Sequence, residues 1–460
     1  MRWDNCYSDK RSGSSKTKEV PRTEYQRDFD RLIFASSFRR LQNKTQVFPL
    51  PGSTFVHNRL THSLEVSSVG RSLGKIVGDH IASHDIDPSD ETSVHFYTYD
   101  LSSVIASACL AHDIGNPAFG HSGEKAISNY FISNQDHVID KKSLRSFFSH
   151  DEWLDLTQFE GNANALRVLT HSYKNKPTGG LRLTYSTLAA ILKYPCEASA
   201  LDKRFAHRKK YGVFLSELGT LKDIAKETGM HIESDTPLCF KRHPFVYLVE
   251  AADDICYRIV DLEDAHRLGI VSRETVQKHL LGIISHLENS AEELSQIQNT
   301  FHTIHDKNDS VAYLRAKTIN ALTNEASNVF INNKVQILSG TLEGSLLSSI
   351  EARNPALRDI MNFSVKNIYN HHSVVEIEIT GFHVMSFLLG LMVPAVLRER
   401  SRGADRMVLE LVPNQFREYE TTTSAYTKVL SIVDYISGMT DTYATELYRK
   451  TTGIDISKHN

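Results

Sequence analysis

The chain predicts an all-α fold, a helical core followed by additional C-terminal helices. Three observations carry that prediction. Apolar residues recur at spacings of three and four through most long segments, the pattern of helices with one buried face. Alternating stretches are rare; the best is Val374–Thr380, and its neighbours favour helix. No internal repeat of fixed period occurs, which sets solenoids aside.

Taken in order, residues 1–20 are polar and expected to be mobile. In Thr23–Gln46, Phe29, Leu32, Ile33 and Ser36 fall at helical spacing, and Pro49, Pro51 and Gly52 then break the chain. A helix is expected from Thr61 to about Ser83, with Leu64, Val66, Val69, Leu73, Ile76, Val77 and Ile81 on its apolar face. Leu101–His112 reads as a central helix. Gly115, Pro117 and Gly120 make 114–120 a loop, and another helix follows from His121. Residues 132–158 look like a charged insertion, and 202–236 like a peripheral charged excursion. Gly161–Tyr173, Leu188–Tyr194 and Phe245–Leu268 read as helices, with several more beyond 271. The expected organisation is an N-terminal segment (1–55), a catalytic core (56–270) and a C-terminal helical region (271–460).

Composition narrows the class. Hydrophobic residues make up 40% of the 460, enough for a sizeable core. The net charge of −3 does not describe a chain built mainly to hold nucleic acid. Five scattered cysteines without CxxC pairing suggest free thiols in a reducing compartment. The N-terminus has no apolar h-region, and Gly381–Leu397 is short for a membrane span and interrupted by His383, Ser386 and Pro394. A cytoplasmic protein that does not engage the membrane is expected. Gly70–Lys75 resembles a phosphate-binding loop but is one residue short and lies inside a helix, so it is rejected.

His112-Asp113 stands where an apolar helix meets a Gly/Pro loop. His62 opens the preceding helix and Asp253 lies in a later one. Two imidazoles and two carboxylates from separate helices suit a divalent cation such as Mn²⁺, Fe²⁺, Ni²⁺ or Zn²⁺, with positions left for water and phosphate oxygen. Tyr257 and Asp261, four and eight residues past Asp253, share its helix face and could gauge a sugar. His121 and Glu124, three apart, can meet as a carboxylate-oriented general acid. Arg59 and Lys193 with Tyr194, or Arg39 and Arg40, could bind polyphosphate. Each of these alone has an ordinary structural reading, as a cap, a solvated face or a surface charge.

The blocks FRRLQNKTQVFPL (38–50), HNRLTHSLEV (57–66), AHDIGNPAFGHSGE (111–124), FEGNANALRVL (159–169), LTYSTLAAILKYP (183–195) and EAADDICYRIVDLEDA (250–265) resemble the deoxyguanosine triphosphate triphosphohydrolases of the HD superfamily. The resemblance covers residues 22–268 and implies an HD-domain core. It implies metal ligands at His62, His112, Asp113 and Asp253. Asp253 is preferred over Asp254 because the family's tyrosine and aspartate then fall on Tyr257 and Asp261. It implies His121 and Glu124 as the catalytic pair, and Gln46 and Arg59 at the sugar or base and the α-phosphate. Asn116 occupies a position where some relatives carry histidine, and Asn162, Lys193 and Tyr194 fall in substrate-binding blocks.

The implied reaction is in-line attack of cation-activated water on the α-phosphorus of dGTP or another dNTP, with Mn²⁺ or Mg²⁺, releasing triphosphate. Tyr257 would exclude a 2′-hydroxyl by clash. A homo-oligomer, often a hexamer, is also implied, and some relatives bind single-stranded DNA. Two alternatives stay open: another HD-type nucleotide phosphohydrolase, such as a nucleotidase or phosphodiesterase, and a nucleotide sensor or single-stranded nucleic-acid binder.

Overall fold

A computed structural model describes residues 1–13, 22–48, 56–176, 178–287, 290–399 and 403–454. The helices that position the site are α1 (Glu24–Phe34), α2 (Arg59–His84), α3 (Leu101–Ala111), α4 (Gly120–Ser133), α5 (Gly161–Thr170), α6 (Tyr185–Ile191) and α7 (Val246–Arg267). Behind them lie α8 (Lys307–Asn332), α9 (His372–Leu397) and α10 (Ala425–Ser437). The strands among the described residues form two short antiparallel hairpins, β1 (Val138–Ile139) with β2 (Lys142–Ser143) and β3 (Ile232–Asp235) with β4 (Leu238–Phe240).

Helix α2 starts where Asn58 caps it, its side chain accepting from Thr61 N. Its inner face carries Gly70, Gly74 and Gly78 at helical spacing. A β-carbon at each would overlap Cys109 Sγ, Ser102 Cα and the Tyr97 carbonyl oxygen respectively. These glycines let α2 lie against α3 and the turn before it. The glycines of the rejected phosphate-loop look-alike therefore serve helix packing. Helix α3 is buried along almost its whole length, and α7 packs across α2 and α8.

One apolar core joins α2, α3 and α7 to residues 271–374, and a second joins α4 and the 139–159 segment to α9 and α10. Both cores cross residue 270. Helix α9 is apolar and long enough to cross a membrane, but 56% of its most apolar window is buried, and it packs on α4 and α10. The alternating stretch Val374–Thr380 lies within α9 and is helical.

Three expectations need correction. Residues 1–13 are not a free polar tail: Trp3 and Cys6 enter the core, and Arg11 Nη1 pairs with buried Asp28 at 2.6 Å. Expected mobility for 14–20 lies outside the described residues. The Thr23–Gln46 segment is not one helix, because extended backbone at Ala35 ends α1. The 132–158 insertion is charged but buries Ile139, Leu144, Trp153 and Leu156 in the second core.

The C-terminal helices are bound to the N-terminal half by buried charge. Arg167 of α5 reaches Asp434 of α10 at 2.8 Å and Glu217 at 2.8 Å. Removing one member of such a cluster strands the others without compensation. Arg167→Ala should lower stability by roughly 3–5 kcal/mol in urea unfolding; a loss within error of zero would show that the cluster does not hold the two halves together.

Candidate active site

The ends of α2, α3 and α4, the start of α5, the residues after α6 and one face of α7 surround a cleft of about 380 Å³. Every residue singled out by the family resemblance lines it except Asp261. Arg39 and Arg40 are not among the lining residues.

At the floor, His62 Nε2 lies 3.2 Å from Asp253 Oδ1, and His112 Nε2 lies 3.5 Å from both Asp253 Oδ1 and Asp113 Oδ1. Ligand atoms of His62, His112 and Asp253 all fall within 4.8 Å of one another. His112 Nδ1–H donates to the Cys109 carbonyl at 2.6 Å, which leaves the Nε2 lone pair aimed at the carboxylates. That Nε2 is buried and has no hydrogen-bond partner. A buried orphan acceptor facing two carboxylates suits a divalent cation, so the donor set fits such a group. Asp253, rather than Asp254, points into this cluster. Burial opposes its ionisation, but His112, His62 and Lys193 hold its carboxyl far below the usual range. Asp113 is likewise held down, against burial, by Arg59, His112 and His62. Its Oδ2 accepts from Arg59 Nη1 at 2.7 Å and its Oδ1 from Asn116 Nδ2 at 2.6 Å.

One wall is cationic. Arg59 stands beside Asp113, and its Nε is buried without a partner; so is Gln46 Oε1 on the same cleft. Lys193 Nζ lies 3.4 Å from Glu250. Burial opposes the lysine's charge, but Glu250, Tyr194 and the α7 aspartates keep its pKa above the usual value. Lys210 Nζ lies 2.8 Å from Glu160, to which Asn162 also donates at 2.7 Å. Lys209, Lys210, Glu160, Glu250 and Asp254 all line the cleft, and none was expected there. The two lysines belong to the stretch read as peripheral; the basic run Arg208-Lys209-Lys210 was the available signal.

His121 and Glu124 sit on one turn of α4, but no hydrogen bond joins them. Glu124 Oε1 instead accepts from Gly161 N at 2.9 Å. A β-carbon at Gly161 would press on Asn116 Oδ1 and Glu124 Oε1, so a larger residue here would displace one of these side chains. Crowding by the cleft walls, with Arg59 and Lys210 nearby, holds the His121 imidazole below its usual pKa. The loop before α4 is braced from the C-terminal region: Asp441 accepts from Phe119 N and from Thr45 N, both at 2.8 Å.

Asp261 does not line the cleft. It shares the face of Asp253 and Tyr257 but lies deeper, buried, and its Oδ2 accepts from Tyr369 OH at 2.8 Å. Tyr369 also stacks on Tyr257, with ring centroids 5.5 Å apart. No signal in the sequence pointed to Tyr369.

Comparison with known proteins agrees with this geometry. The HD domain family matches residues 59–166 and the phosphohydrolase-associated domain matches 348–450. The fold and its floor of histidine and aspartate thus define an HD-domain phosphohydrolase. The chain is 36% identical to a deoxyguanosinetriphosphate triphosphohydrolase-like protein of Synechocystis sp., over 99% of this chain and 100% of that one. It is 35% identical to one from Pseudomonas aeruginosa, over 98% and 99%. It is also 31% identical to a deoxyguanosinetriphosphate triphosphohydrolase of Yersinia pseudotuberculosis, over 96% of each. The chain belongs to the deoxyguanosinetriphosphate triphosphohydrolase family.

Burial, with Glu160 adding to it, pushes the Glu124 carboxyl up to about 7. The folded protein therefore keeps this proton to higher pH than the unfolded chain does. Stability is lost as pH rises from the ordinary carboxyl range through about 7. Glu124→Gln should match the parent in acid, gain on it across that window and hold a constant advantage above it, as read by urea unfolding. A variant that tracks the parent at every pH would contradict this environment for Glu124.

Proposed function

We propose that the chain hydrolyses dGTP, and other dNTPs more weakly, to the deoxynucleoside and inorganic triphosphate, with Mn²⁺ or Mg²⁺ bound at His62, His112, Asp113 and Asp253. The observation that carries this reading is the partnerless His112 Nε2 facing Asp253 and Asp113 at the floor of a lysine- and arginine-walled cleft. The carboxylates lining that cleft outnumber its lysines and arginine. That excess opposes a polyphosphate. A bound divalent cation would cancel it, polarise the α-phosphate and make water a stronger nucleophile.

This chain's own residues divide the remaining work. Arg59 and Lys193 counter charge on the α-phosphate oxygens as water attacks in line. Lys209 and Lys210 face the rest of the polyphosphate. Gln46, with its unpaired buried oxygen, reads the sugar or base, and Asn116, Asn162 and Tyr194 shape the same walls. His121 delivers a proton to the departing 5′-oxygen. Its lowered pKa favours the neutral ring in the free protein, and the arriving phosphate charge favours protonation where the proton is used. Glu124 holds this turn through its bond from Gly161 N, on the same helical turn as His121. Tyr257, pinned by its stack on Tyr369, crowds a 2′-hydroxyl. Asp261 acts through Tyr369 as a support for that stack. Exposed Val375 and Ile379 on α9 favour an assembly of like chains, in keeping with the hexamer that the family resemblance implies.

Chromatography of products from each of the four dNTPs, with Mn²⁺ and with Mg²⁺, tests the reading. Triphosphate and deoxynucleoside are expected, fastest from dGTP, and Asp253→Ala should abolish turnover while keeping the native circular dichroism. Orthophosphate or pyrophosphate as product would favour the nucleotidase or phosphodiesterase alternative. In the same assay Tyr257→Ala should admit GTP; continued refusal of ribonucleotides would remove the clash explanation.

A further inference from the structure

A second group of metal-ligating side chains lies behind the lysine wall of the cleft. Cys239 on β4 and Cys196, just past Lys193-Tyr194, face each other across an isolated antiparallel bridge. The flanking bonds are Glu197 N to Leu238 O (3.2 Å) and Phe240 N to Pro195 O (2.9 Å). They make this a non-hydrogen-bonded pair, the position where facing side chains come closest. Both thiols are buried. Beside them, Glu233 of β3 brings Oε2 to 3.9 Å from Cys239 Sγ, and His207 Nε2 contacts the same carboxylate oxygen. Ligand atoms of His207, Glu233 and Cys239 all lie within 4.8 Å of one another. Ligands about 2.0–2.3 Å from a tetrahedral ion lie about 3.3–3.8 Å apart, so these three need a modest adjustment to close on one, and Cys196, outside that group, must turn its thiol toward them to complete it.

We propose that His207, Glu233, Cys239 and Cys196 form a second, structural site for a thiophilic divalent cation such as Zn²⁺, separate from the site on the cleft floor. Two thiolates, an imidazole and a carboxylate are a tetrahedral set suited to that ion and not to Mg²⁺. Binding releases the two thiol protons and replaces the direct His207–Glu233 contact. The excess negative charge of the ligands is met by Lys241, 2.9 Å from Glu233, and Arg208, 3.5 Å from it.

The four ligands come from three stretches of chain that meet at the cleft wall. His207 precedes Lys209 and Lys210 by two and three residues, and Cys196 Sγ already approaches the Lys210 carbonyl at 3.6 Å. The cation would therefore clamp the lysine-bearing loop and the Lys193-Tyr194 segment onto the β3–β4 hairpin. An ion pair accounts for His207, Glu233 and Lys241, and packing in the second apolar core accounts for either thiol alone; a shared cation accounts for the two thiols facing each other beside that ion pair.

Cobalt substitution separates this site from the cleft floor, which has no thiolate. Full-length protein purified under reducing conditions, stripped with chelator and reloaded with Co²⁺, should show a thiolate-to-cobalt charge-transfer band in the near ultraviolet. Asp253→Ala should keep the band and Cys239→Ser should lose it. His207→Gln, which leaves both thiols in place, should lose the intense tetrahedral visible bands, and it serves if Cys239→Ser does not fold. Parent protein that binds Co²⁺ without any thiolate band would overturn the proposal. So would a Cys196–Cys239 disulfide found by peptide mapping of the same reduced preparation.

Discussion

The close approach of α2 to α3 is the constraint on which the site depends. His62 belongs to α2 and His112 follows the last residue of α3, so their separation is set by how near the two helices come. Gly70, Gly74 and Gly78 remove the side chains that would hold them apart. The imidazole rings end 5.4 Å apart, and Asp253, brought across by α7, reaches both. A helix spacing determined by packing thus becomes a spacing between ligand atoms. Because protein interiors are close-packed, a bulkier residue in that stripe would act directly on the chemistry.

Around this floor the charges are arranged in layers. The innermost carboxylates, Asp253 and Asp113, stay ionised because imidazoles and Arg59 outweigh their burial. Two others, Glu124 and Asp254, are pushed up to about 7, because burial dominates where compensation is weaker. The same cleft thus holds carboxyls of two kinds, kept ionised beside the imidazoles and Arg59 and kept protonated to higher pH where burial dominates. The outer wall supplies lysines, of which Lys193 and Lys210 are already paired with a carboxylate. Positions along this wall are held from a distance: Asp441 fixes the Phe119 turn, and Arg167 ties α5 to α10.

Much of this was legible in the residues alone, for identifiable reasons. Helical spacing revealed α2, α3 and α7, and motif order picked out the histidines and aspartates that the fold brings together on them. The choice between Asp253 and Asp254 followed from counting four and eight residues forward, which is helix geometry. What escaped were contributions made by tertiary packing. Lys209 and Lys210 sit in a charged loop whose sequence does not reveal which surface it borders. Tyr369 and Asp441 arrive from more than 100 residues beyond α7. Asp261 was assigned to the right helix face, but a face does not reveal what covers it, and Tyr369 does. The N-terminal residues were misjudged by composition, because two buried side chains, Trp3 and Cys6, outweigh a polar average. The His121–Glu124 pair shows the converse limit: adjacency on a helix allows a contact without requiring it.

The central claim is that the two histidines and two aspartates gathered by α2, α3 and α7 grip one cation. Anomalous scattering at the manganese edge from crystals grown with Mn²⁺ tests it most directly. The account predicts a strong peak within bonding distance of His62 Nε2, His112 Nε2 and carboxylate oxygens of Asp113 and Asp253. Density confined to Asp254, Glu250 or the cleft's outer carboxylates, with His112 Nε2 left unliganded, would contradict it.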